Sequence, residues 1–150
     1  MGSHYSGSPR EMRALNAYIK LLRSARTVSE RVRGHQTVTE LNDSQFGALE
    51  ALYHLGSMPQ KTIGEKLLMC KSNVVAIVDS LEALEYVNRR QASNDRRLVN
   101  VSITEGGRRY IERTLPAHVD AIAQEFSRLT ASEQDELARL CRKLGLGEQT

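Results

Sequence analysis

QKTIGEKLLMCKSNVVAIVDSLEALEYVNRRQASNDRRLVNVSIT, residues 60–104, decides the fold. It reads as a short helix, a tight turn, a second helix, and a two-stranded hairpin with an arginine-rich tip. In the second helix Val74, Ile77, Val78, Leu81 and Leu84 fall at i, i+3, i+4, i+7 and i+10, a single apolar stripe. The other side shows Lys71, Ser72, Asn73, Val75, Ala76, Asp79 and Ser80, mostly small or polar. A helix that enters a major groove needs this division, with short contact-capable groups near its N-terminus. Many surface helices share it. Ser72 is the predicted N-cap, which leaves backbone N–H groups suited to a phosphate.

The shorter helix offers Ile63, Leu67 and Leu68 to the core. Gly64 costs a helix about 1 kcal/mol against alanine. Its place is explained if the second helix crosses close by; a tolerated surface glycine is the plainer reading. After Glu85 the period changes. Tyr86 to Arg90 and Leu98 to Ile103 are strand-like, and the second run is rich in β-branched residues. Between them Gln91 to Arg97 is polar, with Ser93, Asn94 and Asp95 as turn residues. Arg89, Arg90, Arg96 and Arg97 flank or sit on this hairpin. A hairpin tip can enter the minor groove, where arginine meets concentrated negative potential. Asp95 is expected to orient a neighbouring guanidinium through a charge-assisted pair. A solvated basic turn is the alternative.

The stretches LNDSQFGALEALYHLG (41–56), IGEKL (63–67), KSNVVAIVDSLE (71–82), YVNRR (86–90) and NDRRLVNVSITEGG (94–107) resemble the MarR family of winged helix-turn-helix regulators. The Asp-Arg-Arg wing followed by Val-x-Ile-Thr-x-x-Gly is the most specific part. The resemblance implies a homodimeric, sequence-specific regulator of double-stranded DNA. Leu-Tyr-His-x-Gly and Ile-Gly-Glu-Lys-Leu-Leu resemble the branch that answers to oxidants, quinones or phenols. The chain departs from the family at Val75 and Ala76, where threonine and arginine are common, and at Glu85, where glycine is usual. Valine can meet a thymine methyl group instead. A left-handed helix end at Glu85 would cost roughly 1 kcal/mol, so a different cap is expected there.

Working outward, 150 residues fit a single domain at 10–150, preceded by a small, polar, flexible tail at 1–9. A composition 40% hydrophobic and 26% charged suits a globular chain with a core. Tryptophan is absent, which argues against an aromatic platform for single strands. No membrane span or secretory signal is visible, so a cytoplasmic protein is expected. The net charge is only +3, but residues 86–110 hold six Lys/Arg against Asp95 and Glu105. A basic hairpin on a more acidic body is a targeted footprint rather than a sticky surface.

Residues 10–33 read as a long helix striped by Met12, Leu15, Ile19, Leu22, Ala25 and Val32. Its arginines read as a solvated face or as partners for acidic C-terminal helices of a second subunit. Asn42 and Gln45 have capping-box spacing for the next helix, and Gly56 ends it. Thr104 is expected to cap a helix to about residue 129, bent at Pro116. Ser132 is expected to start, and Gly145 to stop, a last helix. The predicted architecture is thus mainly α with a small β wing. A winged helix-turn-helix at 41–104 lies between dimerisation helices at 10–33 and 105–145. A symmetric pair of such heads would read two half-sites of a pseudo-palindromic operator about one helical turn apart.

The candidate DNA-contacting residues are Gln60, Lys61, Thr62, Lys71, Ser72, Asn73, Val75, Ala76, Arg89, Arg90, Asn94, Asp95, Arg96 and Arg97. Tyr18, Tyr53 and His54 are candidates for a cavity taking a small aromatic effector; half-buried core is the other reading. Cys141 lies on an apolar stripe and reads as core. Cys70, beside Lys71 at a helix start, reads either as a small hydrophobe or as an oxidant-sensing thiolate. Neither cysteine spacing nor histidine spacing suggests a metal. No nucleophile–base pair, paired carboxylates or glycine-rich phosphate loop points to catalysis, and no cofactor is expected. The function expected is a transcriptional regulator, a repressor released by a phenolic or quinone ligand or by oxidation. The competing reading is a winged-helix module that binds protein rather than DNA.

Overall fold

Capping chemistry sets most helix boundaries in the computed structural model, which describes residues 4–147. Residues 1–3 of the expected tail lie outside the described residues. Helix α1 (Pro9–Gly34) starts at a capping box in which Ser8 and Glu11 satisfy each other's backbone N–H groups. Helix α2 (Asp43–Leu55) has the expected Asn42/Gln45 box, both bonds at 2.8 Å, and ends on Gly56 at φ 85°. Strand β1 (Met58–Pro59) leads into α3 (Gln60–Lys66) and α4 (Lys71–Ala83). Strands β2 (Val87–Ala92) and β3 (Asp95–Ile103) form the wing, and helices α5 (Glu105–Phe126) and α6 (Ala131–Leu146) complete the chain.

The three strands form one antiparallel sheet in the order β1-β3-β2. Met58 lies opposite Val101, which in turn lies opposite Arg89. β1 has two residues, too few to show an alternation in the sequence. The wing strands are longer than expected and leave Ser93 and Asn94 as the turn, with an irregularity between Gln91 and Ala92.

The core lies between residues 41 and 111. Leu49, Leu52, Ile63, Val78, Leu81, Val87, Val101 and Ile111 are fully enclosed there. By contrast α1 buries only Val32, and α6 buries no residue. Met12, Tyr18, Leu22, Val119, Leu140 and Leu144 remain exposed on the long helices. The expectation that Cys141 is core is therefore corrected: its stripe on α6 has no partner layer in the protomer, and the thiol is exposed.

Other boundaries also differ from expectation. The N-cap position of α4 is Cys70, not Ser72, and no side chain accepts a cap bond there. Leu84 ends α4 exposed rather than in the stripe. Glu85 does take the left-handed conformation, at φ 61°. The backbone is compensated: Tyr86 N–H bonds Leu81 O and Glu85 N–H bonds Glu82 O, both at 2.9 Å, which is a Schellman closure. Helix α5 stops at Phe126 and continues through Pro116, which is exposed. Helix α6 starts at a Thr130/Glu133 capping box and ends on Gly147 at φ 67°, so neither Ser132 nor Gly145 is its boundary.

Candidate nucleic-acid interface

The turn between α3 and α4 depends on a missing side chain. A Cβ on Gly64 would come within 2.8 Å of Val74 Cγ2, so α4 crosses α3 closely at that glycine, as its placement in the sequence suggested. Met69 N–H bonds Gly64 O at 2.9 Å, and Leu68 takes φ 52° to turn the chain. Val74, Ile77, Val78 and Leu81 are buried against the core. Ser80 belongs to the inner side as well: Gln45 Nε2 donates to its Oγ at 2.8 Å, and that Oγ donates to Ile77 O at 2.7 Å. The outward side of α4 is left to Lys71, Ser72, Asn73, Val75 and Ala76, all exposed. The N-terminus of α4 opens at the same end, where a phosphate would be stabilised.

The wing carries three exposed arginines, Arg90, Arg96 and Arg97. Asp95 Oδ1 accepts from Arg97 N at 2.9 Å and from its Nε at 3.3 Å. The acid on the hairpin thus orients a guanidinium whose side chain is 90% exposed. Asn94 is exposed in the turn. A groove of about 810 Å³ runs between α3, α4 and β3. Leu68, Met69, Val74, Leu98 and Val99 floor it, and Lys61, Lys71 and Arg97 stand along it. The fold has therefore gathered cations from three elements. Lys61 pairs loosely with Glu65 at 3.8 Å, and Thr62 is half-buried.

Arg89 departs from the expectation for the wing. Its Nε donates to Gln60 Oε1 at 2.9 Å, its Nη1 to Asp79, and its Nη2 to Val75 O at 3.2 Å. Its side chain is only 22% exposed. The guanidinium and the Gln60 amide are engaged with each other rather than offered outward. Nothing in the sequence distinguishes Arg89 from Arg90; the distinction comes from β2 alternation, which turns one side chain toward α4 and the other away.

Cys70 is exposed, with Sγ 3.4 Å from Ser72 Oγ. The Ser72 hydroxyl, and after it the Asn73 backbone N–H, hold the thiol below its usual range. Tyr18, Tyr53 and His54 do not share one cavity. Tyr18 lines a shallow hollow with Tyr5, Glu11, Ala14 and Leu15. Tyr53 hydrogen-bonds Glu112 at 3.4 Å, lies under Arg108, and meets the His54 ring edge-on at 5.0 Å. A cavity of about 620 Å³ lies instead among α1, α2, α5 and α6. Ala25, Val28, Phe46, Ile122, Phe126 and Leu137 supply apolar wall, with His118 and Cys141 at its margin. The apolar stripes of α1 and α5 were the signal for it in the sequence, but stripes do not say which faces stay apart. Among the described residues no cluster could hold a metal ion, and no helix is long and apolar enough to cross a membrane.

Comparison with known proteins agrees with this geometry. The model of the MarR family matches residues 41–99. The HTH-type transcriptional regulator YkoM of Bacillus subtilis (strain 168) is 34% identical over 137 residues, 91% of this chain and 89% of that protein. The HTH-type transcriptional regulator MhqR of the same organism is 31% identical over 134 residues, 89% of this chain and 92% of that protein. These relatives are regulators, not enzymes. The fold is shared with Sco3205, a MarR family transcriptional regulator from Streptomyces coelicolor solved in complex with DNA. There the TM-score is 0.80 at 24% identity, over 97% of this chain and 95% of that one. With its winged helix, its cation-lined groove and these relatives, the chain belongs to the MarR family of DNA-binding transcriptional regulators.

Proposed function

We propose that this chain is a homodimeric cytoplasmic repressor that reads a pseudo-palindromic operator with two identical winged heads. The observation that carries this reading is the convergence of Lys61, Lys71 and Arg97 on one groove beside an exposed, finely textured face of α4. Lys71, Ser72, Asn73, Val75 and Ala76 enter the major groove, with Lys61 and Thr62 at its edge. Arg90, Arg96 and Arg97 take the wing to the phosphates and the minor groove, with Asn94 at the tip and Asp95 aiming Arg97. The exposed apolar residues of α1, α5 and α6 form the dimer interface. A protein-binding wing would not need three outward guanidinium groups.

Release follows from an occupant of the cavity among α1, α2, α5 and α6. A small phenol or quinone suits its apolar wall and the polar margin at His118. Binding there shifts the long helices against the head, and a dimer that tolerates one half-site spacing then loses affinity. Oxidation of Cys70 is a second route, favoured by its exposure and its stabilised thiolate.

The wing assignment is tested by a salt titration of duplex binding. Arg97→Ala is expected to weaken binding to every sequence and to lower the slope of log K against log salt by about 0.9. An unchanged slope would remove Arg97 from the phosphate contacts.

A further inference from the structure

We propose that Arg89 is a positioning residue of the reading head: it braces the wing against α4 and the start of α3, and does not itself touch DNA. The proposal rests on the chain's DNA-binding function and assigns a separate role to one of the arginines first grouped with the phosphate contacts.

The geometry is a four-way junction. The guanidinium offers donors in a fixed planar fork. One edge meets Gln60, the first residue of α3, and Val75 O and Asp79 Oδ1 of α4 take the others. Glu82 adds a second carboxylate 3.5 Å from Nη1, and its Oε2 also accepts the Arg89 backbone N–H at 3.1 Å. β2 is therefore fastened to α4 by side chain and main chain at the same residue. Arg90, next on the strand and facing the opposite way, makes no ion pair among the described residues.

The carboxylates give the argument its direction. Asp79 and Glu82 stand on the helix that reads DNA, where acids repel phosphate. Their place is explained if they are spent on Arg89. The brace then fixes the angle between the helix in one groove and the wing in the next. A lysine could not replace it, because a point charge on a flexible stem cannot serve Gln60, Asp79 and Val75 O together.

The two roles for Arg89 give opposite signs for Asp79→Asn. If Arg89 were a phosphate ligand, removing an acid would free it, and affinity would rise. As a brace, it loses its strongest partner, the wing angle relaxes, and affinity for the specific site falls. Binding is measured by fluorescence anisotropy at fixed salt, on a duplex that the wild-type chain selects from a random pool and on a scrambled duplex. Asp79→Asn is expected to lose about tenfold on the selected duplex and little on the scrambled one. Arg89→Lys, which keeps the charge, is expected to lose as much, and it serves alone if Asp79→Asn does not fold. Circular dichroism establishes that the variants compared are folded. Wild-type or tighter binding by folded Asp79→Asn overturns the brace, and so does wild-type binding by Arg89→Lys. A wild-type chain that selects no duplex at all would sink the DNA-binding function and the brace together, which separates the two failures.

Discussion

Single residues in this chain act mainly by what they leave room for or hold in place. Gly107 is the sharpest case. Its N–H bonds Thr104 Oγ1 at 3.0 Å, and Thr104 N–H bonds Tyr86 O at 3.0 Å, where β2 begins beside the start of α5. A Cβ on Gly107 would collide with that same Tyr86 carbonyl and press on Ile103. Main chain cannot swing aside as a side chain can, so Gly107→Ala is expected to cost about 2–3 kcal/mol in urea unfolding. A change within about 0.5 kcal/mol would show that the junction is looser than described. Gly64 follows the same logic and was legible in the sequence, because a glycine inside a helix is anomalous and calls for a close neighbour. Arg89 was not legible. Its partners lie ten residues upstream at Asp79 and farther still at Gln60, and only the sheet brings them together.

Three helices, α1, α2 and α6, begin at reciprocal caps; the first, Ser8 with Glu11, falls in the stretch read as a flexible tail, so that part of the expectation is corrected. Asn42 and Gln45 had no competitor. At the last helix Ser132-x-x-Asp135 overlapped Thr130-x-x-Glu133, and the latter forms the box. Glutamate is the longer side chain and reaches back to the N-cap N–H, the geometry a capping box requires. Just past the Leu84 cap of α4, Glu85 takes a left-handed conformation that costs a residue with a Cβ about 1 kcal/mol. The Schellman bonds and the acceptance of Thr104 Oγ1 by Glu85 O at 2.7 Å hold it there. Glu85→Gly is accordingly expected to stabilise the fold by about 0.5–1 kcal/mol, read as a higher urea midpoint at unchanged m-value. A lower midpoint would mean that the glutamate side chain, not the backbone, supports this turn.

At the scale of the molecule the apolar surface is distributed unevenly. Residues 41–111 enclose a core, while α1 and α6 hold Met12, Tyr18, Leu22, Leu140, Leu144 and Leu146 in the open. Unpartnered apolar stripes of this extent mark an interaction surface, and a second copy of the chain supplies the matching one in the proposed dimer. The stripes themselves were plain in the sequence. They were also expected to pair across a dimer; which residues of α6 would stay uncovered in one protomer was not plain, so Cys141 read as core: a period of 3.6 identifies an apolar face but not what covers it. The winged head, the brace and the long helices together make one claim, that two copies present their wings to one duplex at a fixed separation. Sedimentation velocity of the wild-type chain with a selected duplex tests it directly. The expected result is a dimer in free solution, two chains per duplex, and loss of that complex when half a helical turn is inserted between the half-sites. A monomer that passes double-stranded DNA by, even in dilute buffer, would contradict it.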